Sequence, residues 1–392
     1  MQYRKDRYGN EISILGFGCM RLARKKDGKV DMEAAEAQIR TAFEQGINYY
    51  DTAWAYGDNE SVMGELFERL GIREKVKIAT KLPQYKVKKK EDFERYFSEE
   101  LSRLRTGYVD YYLMHMMNDA ASYRRLKDLG LEEWLEEKQK AGQIRQVGFS
   151  YHGNSDKFGE LLNARDWDLC QIQYNYMDEN SQAGRTGLKL AAEKKIPVII
   201  MEPLRGGRLA KLPPEAEKIL LKHPEKRSAA AWSFDWLWSQ PEVTCVLSGM
   251  NSMEMLEENI RTACEAREGM IGPEEHALLK EVLAAINRNL KVGCTGCRYC
   301  MPCPKGVDIP GTFTAYNDYY PGSRIQSLKE YFMCSYLRRE KTGLTACVGC
   351  GLCETKCPQS IEIRKELKNA GKVLETPVLK LFNRASGLVM KY

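Results

Sequence analysis

Asp51, Tyr56, Lys81 and His115 are four polar residues with complementary chemistry in the first part of the chain. A phenol with a pKa of about 10 is a poor proton donor to a carbonyl at neutral pH, whereas a neighbouring ammonium stabilises phenolate and lowers that pKa. Lys81 can supply the ammonium, Asp51 can hold it charged and in place, and His115 can orient a carbonyl oxygen by hydrogen bonding. Together they make an acid–base site for ketone or alcohol chemistry. Singly, each has a plainer reading: Tyr56 is one of 21 tyrosines, Asp51 can cap a turn, Lys81 can lie on the surface, and His115 can be structural. Joint placement lifts the set above those readings.

A second chemistry lies near the other end. Eight of the 13 cysteines crowd into "CTGCRYCMPCP" (294–304) and "CVGCGLCETKCP" (347–358), while Cys19, Cys170, Cys245, Cys264 and Cys334 are scattered. The start "MQYRKDRYGNEISILGFG" carries no secretory pattern, so a reduced, cytoplasmic setting is expected and disulfides are disfavoured. Zinc is the rival reading, but structural zinc sites join two C-x2-C halves across a longer loop. Here each run holds four thiols within about ten residues, which suits iron–sulfur clusters. The scattered cysteines read as small buried hydrophobes.

The elements that must position these groups are regular. Apolar runs at 14–20, 47–52, 76–81, 108–115, 144–150, 169–175, 197–203 and 243–249 alternate with helical periodicity at 31–46, 59–70, 91–105, 131–141, 155–163, 182–195, 227–239 and 253–266. Asp31 is placed to cap the first helix and Gly46 to end it. Eight successive βα units predict an α/β fold, a closed (β/α)8 TIM barrel over 1–270. Chemistry in such barrels gathers at the C-terminal strand ends. Asp51 ends the second strand with Tyr56 just beyond it, Lys81 ends the third and His115 the fourth, so all four can converge.

After Gly272-Pro273 a helix at 274–289 is expected to connect, within 271–290, to a smaller, mainly helical iron–sulfur domain over 291–392, with one helix (323–340) between the cysteine runs.

At this point the chain resembles the aldo-keto reductases over about residues 1–270, through "GFGCMRL" (16–22), "GINYYDTAWAYG" (46–57), "KIATKLP" (77–83), "VDYYLMH" (109–115), "QVGFS" (146–150), "EPLRGGRL" (202–209) and "LSGMNSMEMLEENI" (247–260). The resemblance implies that Asp51, Tyr56, Lys81 and His115 are the family's catalytic tetrad, with Tyr56 giving its proton as hydride arrives from a reduced nicotinamide. It implies cofactor contacts at Gly18, Met20, Ser150, Gln171, Glu202, Leu204, Gly206, Ser248, Gly249, Met250, Glu258 and Asn259, with Ser150 and Gln171 on the carboxamide. Two departures stand out. Met201 replaces an aromatic ring that stacks on the nicotinamide in many relatives, and Gly249, Met250 and Met255 replace the polar groups that hold the 2′-phosphate of NADPH. Arg205 or Arg208 are the nearby cations that could compensate.

The second cysteine run is similar to the C-x2-C-x2-C-x3-C-P pattern of bacterial two-cluster ferredoxins, in which the fourth cysteine ligates the other cluster. The first run is one residue shorter at its last step. The resemblance implies two [4Fe-4S] clusters, one on Cys294, Cys297, Cys300 and Cys357 and one on Cys347, Cys350, Cys353 and Cys303.

Such clusters pass single electrons, whereas a nicotinamide exchanges two at once. Either the clusters are structural or serve another step, or the barrel holds a flavin or redox-active substrate that bridges the two modes. Expected partners are a small carbonyl or alcohol substrate and a ferredoxin or flavodoxin, in an anaerobic oxidoreductase; an electron carrier with a non-catalytic barrel is the alternative. The loops at 116–130 and 204–225 are expected to shape the substrate pocket, with Met116, Met117 and Tyr123 as apolar walls.

The formal charge of +6 falls to about +2 with two clusters of about −2 each, and "KVKKK" (86–90) is the one tight basic run, so nucleic acid is not an expected partner. No apolar run approaches the roughly 18 residues of a membrane span.

Overall fold

The computed structural model describes residues 1–377 except 154, 289, 295, 297, 321–323, 337–342 and 358. Cys297, the last part of the expected 323–340 helix and the tail from 378 onward lie outside the described residues, as does the side chain of Cys334.

A short antiparallel hairpin, β1 (Tyr3–Lys5) and β2 (Glu11–Ser13), precedes eight parallel strands: β3 (Leu15–Gly18), β4 (Tyr49–Asp51), β5 (Lys77–Leu82), β6 (Val109–Met117), β7 (Ile144–Tyr151), β8 (Leu169–Gln173), β9 (Val198–Met201) and β10 (Val243–Ser248). They close into a barrel in sequence order, with β10 pairing β3, so the expected (β/α)8 architecture is present. Strand alternation divides each strand between two cores. Tyr49, Ala79, Tyr111, Leu113, Leu169 and Ile199 fill the lumen, while Tyr50, Ile78, Tyr112, Met114, Cys170 and Ile200 face the surrounding helices.

The unexpected hairpin closes the end where the strands begin. Ile12 is fully buried among the lumen residues, and the Tyr111 hydroxyl donates to Asp6 Oδ2 at 3.0 Å.

The first barrel helix, Met32–Glu44, starts as expected at Asp31, whose carboxylate accepts from the Ala34 N–H at 3.3 Å. It gives way to Gly46, whose φ of +91° favours a residue without Cβ. The structure adds helices Ala120–Asp128 and Pro214–Leu220, both inside segments expected to be loops. Helix Pro273–Asn287 begins with its proline in the first turn. It sends Leu279, Val282 and Ala285 into the barrel's outer core and so packs with the barrel.

The C-terminal region has its own core of Val307, Ile309, Phe313, Tyr331, Ile363 and Leu367. It is built on helices Ile309–Asp318, Arg324–Ser335 and Ile363–Leu374. One helix between the cysteine runs was expected, and the structure has a second, Ile309–Asp318. Asp308 caps it by accepting from the Gly311 N–H at 3.3 Å.

Candidate active site and cysteine cavities

The strand period sets the site. Asp51, Lys81 and His115 each lie two residues beyond a lumen residue, Tyr49, Ala79 and Leu113, so their side chains continue the inward face at the open end. All three are buried. Lys81 Nζ lies 2.7 Å from Asp51 Oδ1 and donates to the Thr52 carbonyl at 2.6 Å. Tyr56 follows β4 on a single helical turn, Trp54–Tyr56, and is half-buried over this pair. Lys81 Nζ lies 5.1 Å from its ring centroid, close enough for the ammonium to favour the phenolate. The His115 ring meets Tyr56 edge-on with centroids 5.9 Å apart. The structure thus brings all four residues together.

Burial dominates the electrostatics. It pushes His115 well below the usual imidazole range, and the Lys81 charge adds to that, so the ring is neutral at pH 7. Burial alone would push Lys81 down, but Asp51 and Tyr56 beside it carry its pKa above that of a free lysine, and the ammonium persists. Tyr56 departs from expectation: Lys81 draws its pKa down, but burial acts the other way more strongly and the net direction is upward. The phenol is therefore held protonated.

The residues implied in cofactor contact fall into three groups. Ser150 and Gln171 lie on the inward face of β7 and β8, both buried. Ser150 Oγ accepts from the Met116 N–H at 2.9 Å, which leaves its proton to donate. Gln171 stands beside Asp51 and favours its carboxylate, while its buried Oε1 has no partner among the described residues. An amide of a bound ring fits that pair.

Gly18, Met20, Glu202, Leu204, Gly206 and Gly249 surround the rim after β3, β9 and β10, strands that are neighbours in the barrel. Met20 is exposed, and Gly206 has a φ of +68°. Ser248, Met250, Glu258 and Asn259 lie at β10 and the helix after it. Met250 is turned into the core, and Asn259 donates to Ser248 Oγ at 3.0 Å.

Three readings need correction. Met117 and Tyr123 are not pocket walls: β6 continues through Met117 into the outer core, and Tyr123 packs there against Trp167 with ring centroids 4.9 Å apart. Arg205 is not available to a 2′-phosphate, because it is buried in a network with Asp178 and Asp318. Arg208 pairs with the same Asp318 at 2.5 Å.

The sequence reading also missed neighbours of the site. Tyr85, four residues past Lys81, brings its ring to 6.4 Å from His115. Arg21 runs beside Gly249, where a Cβ would meet its stem at 3.3 Å, and stands 4.0 Å from Glu202. Arg21 lies within "GFGCMRL" (16–22), and its charge just past β3 is the signal for it in the sequence.

The cysteines surround two cavities. One is lined by Cys300, Cys303, Cys347, Cys350 and Cys353. The other is lined by Cys294, Cys300 and Cys357. Positive φ at Gly349 (+70°) and Gly351 (+81°) lets the second run curl around its cavity. Cys347 and Cys350 are exposed, and the other described cysteines of the runs are partly buried. Thiolates distributed around a cavity fit a multi-iron cluster. Among the described residues no three His, Cys, Asp or Glu side chains converge tightly enough for a single ion.

Comparison with known proteins agrees with both halves. The Aldo/keto reductase family profile matches residues 14–282, and the 4Fe-4S dicluster domain profile matches 293–362. The chain is 26% identical over 295 residues to the uncharacterized oxidoreductase YqkF of Bacillus subtilis, covering 66% of this chain and 91% of that protein. It is 32% identical over 155 residues to probable aldo-keto reductase 1 of Glycine max, covering 36% of this chain and 42% of that one. The fold is similar to that of aldo-keto reductase AKR11C1 from Bacillus halodurans in its holo form, with a TM-score of 0.59 and 24% identity over 72% of this chain and 96% of that one. With its closed parallel barrel, the chain belongs to the aldo/keto reductase family of oxidoreductases and carries a 4Fe-4S dicluster domain C-terminal to the barrel.

Proposed function

We propose that the barrel interconverts a small carbonyl compound and its alcohol, with Tyr56 as the acid and base and a nicotinamide as hydride carrier. The observation that carries this reading is the buried Lys81–Asp51 pair, 2.7 Å apart, with Lys81 Nζ 5.1 Å from the Tyr56 ring. When bound, a reduced nicotinamide with its carboxamide on Ser150 and Gln171 would supply two electrons and a hydrogen to the carbonyl carbon.

Neutral His115 donates a hydrogen bond to the carbonyl oxygen and fixes its position. A protonated Tyr56 is too weak an acid for a ground-state carbonyl but suffices for the alkoxide character that grows as hydride arrives. Lys81 then stabilises the phenolate left behind, and Asp51 keeps Lys81 charged. Oxidation of the alcohol runs the same transfers in reverse.

The cysteine cavities would hold two clusters, on the sets Cys294, Cys297, Cys300, Cys357 and Cys347, Cys350, Cys353, Cys303, and supply one-electron chemistry. Exposure of Cys347 and Cys350 supports exchange with a one-electron carrier such as a ferredoxin or flavodoxin. A flavin in place of the nicotinamide is the second reading, since it would accept those single electrons. Among the described residues no helix is long and apolar enough to cross a membrane. A reducing cytoplasm is the compartment that suits the thiolates.

Tyr56→Phe decides the catalytic part. Carbonyl turnover should fall by about 10²- to 10⁴-fold with nucleotide binding retained. Unchanged turnover would remove Tyr56 from the acid role, and flavin absorbance in fresh protein would favour the second reading.

A further inference from the structure

Helix Ile309–Asp318 joins two regions that the proposed chemistry treats separately. Near its start, Ile309, Pro310 and Phe313 form one wall of the cavity lined by Cys294, Cys300 and Cys357. At its end, the Asp318 carboxylate is buried against the loop after β9. It accepts from Arg205 Nη1 at 3.2 Å and Nη2 at 2.6 Å, and pairs with Arg208 Nη1 at 2.5 Å. Arg205 Nε completes the network on Asp178 Oδ2 at 2.8 Å. Gly206, one of the residues assigned to the nucleotide, stands between the two arginines in sequence.

A ten-residue helix spans about 15 Å, and packed interiors pass displacement along rather than absorb it. The loop also carries backbone strain. Glu202 and Arg205 have φ of +54° and +50°, and non-glycine residues hold such conformations only where their surroundings over-determine them. The two-pronged contact from Asp318 joins Asp178 and the Met177 sulfur in holding Arg205 there. Without it, Arg205 keeps Asp178 and the Met177 sulfur, 3.1 Å from its Nη1, on the barrel side, and Arg208 loses its carboxylate.

We propose that Asp318 is a positioning residue through which a filled cysteine cavity orders the β9 loop, so that cluster occupancy and nucleotide affinity are thermodynamically coupled. The inference rests on the nucleotide site proposed above. Linkage makes the coupling reciprocal: bound nucleotide strengthens retention of the cluster by the factor by which the cluster strengthens nucleotide binding.

The test uses the iron-loaded full chain, prepared anaerobically. NADH titrated by fluorescence should bind Asp318→Asn about tenfold more weakly than wild type, with iron content and visible spectrum unchanged. Saturating NADH should raise the chelator concentration that removes half the iron from wild type by a similar factor of about ten, and leave that of Asp318→Asn unmoved. A merely structural Asp318 would lower the melting temperature of the variant without abolishing nucleotide protection of the iron. If Asp318→Asn does not retain iron, Arg208→Met, which removes one prong from the loop side, takes its place in both measurements. Equal NADH affinity in variant and wild type, or no protection of wild-type iron by NADH, overturns the coupling. Failure of wild type to bind either NADH or NADPH would instead bring down the nucleotide site, and the coupling with it.

Discussion

The imidazole of His115 stands edge-on to the ring of Tyr56, centroids 5.9 Å apart, and its buried Nδ1 has no partner among the described residues. Burial keeps this histidine neutral and this tyrosine protonated. The pH dependence follows with a definite sign. His115 titrates well below the ordinary imidazole range, so kcat/KM for carbonyl reduction should show no inflection near pH 6.5. Tyr56 loses its proton only above the ordinary phenol range, so the fall on the alkaline side should lie beyond pH 10. A rate profile over the neutral range with a break near 6.5 would contradict a neutral His115.

Removing Lys81 separates stability from catalysis. Its ammonium is 1% exposed beside Asp51, so Lys81→Met leaves a buried carboxylate unpaired. The expected cost is about 3–5 kcal/mol of unfolding free energy. The double variant Asp51→Asn with Lys81→Met removes the orphaned charge and should recover most of that stability while turnover stays lost. Thermal unfolding and steady-state rates, measured on the same samples, check both halves.

The fourth cysteine of each run offers a selective test of cluster assignment. Cys303 lines the cavity of the second run, and Cys357 lines that of the first. Cys303→Ala should disturb the cluster on Cys347, Cys350 and Cys353, and Cys357→Ala the one on Cys294 and Cys300. Each variant should lose up to half of the iron, with different electron paramagnetic resonance signals surviving. Loss of the same signal in both would contradict the crossed arrangement.

Nucleotide preference follows from where the arginines went. Arg205 is sealed between Asp178 and Asp318, Arg208 is paired with Asp318, and Met250 is turned inward, so this set offers no unpaired cation to a 2′-phosphate. NADPH should therefore gain no affinity over NADH. Direct titration of both nucleotides is the check, and a tenfold advantage for NADPH would point to a cation outside this set.

What could be read from the sequence depended on the range of the interaction. Buried parallel strands are near-continuous apolar runs, so β3 to β10 stood out, and strand ends placed Asp51, Lys81 and His115 on one rim. Helix Ile309–Asp318 was hidden because "IPGTFTAYND" contains Gly311 and two threonines, poor helix formers that tertiary packing overrides. Met117 and Tyr123 misled because the continuation of β6 and the helix Ala120–Asp128 turn them inward. The Arg205–Asp318 contact joins residues 113 positions apart, and nothing local in either segment announces the other. The upward shift of Tyr56 was likewise invisible, since it comes from surrounding burial rather than from the residue types that meet there.

The N-terminal hairpin, with Ile12 stoppering the lumen and Asp6 bonded to Tyr111, makes the barrel a cup with a single mouth. Whatever enters must depart by the same doorway. On the proposed reading, dinucleotide, reactant and product would share one corridor, and a large dinucleotide lying across the rim would board first and disembark last.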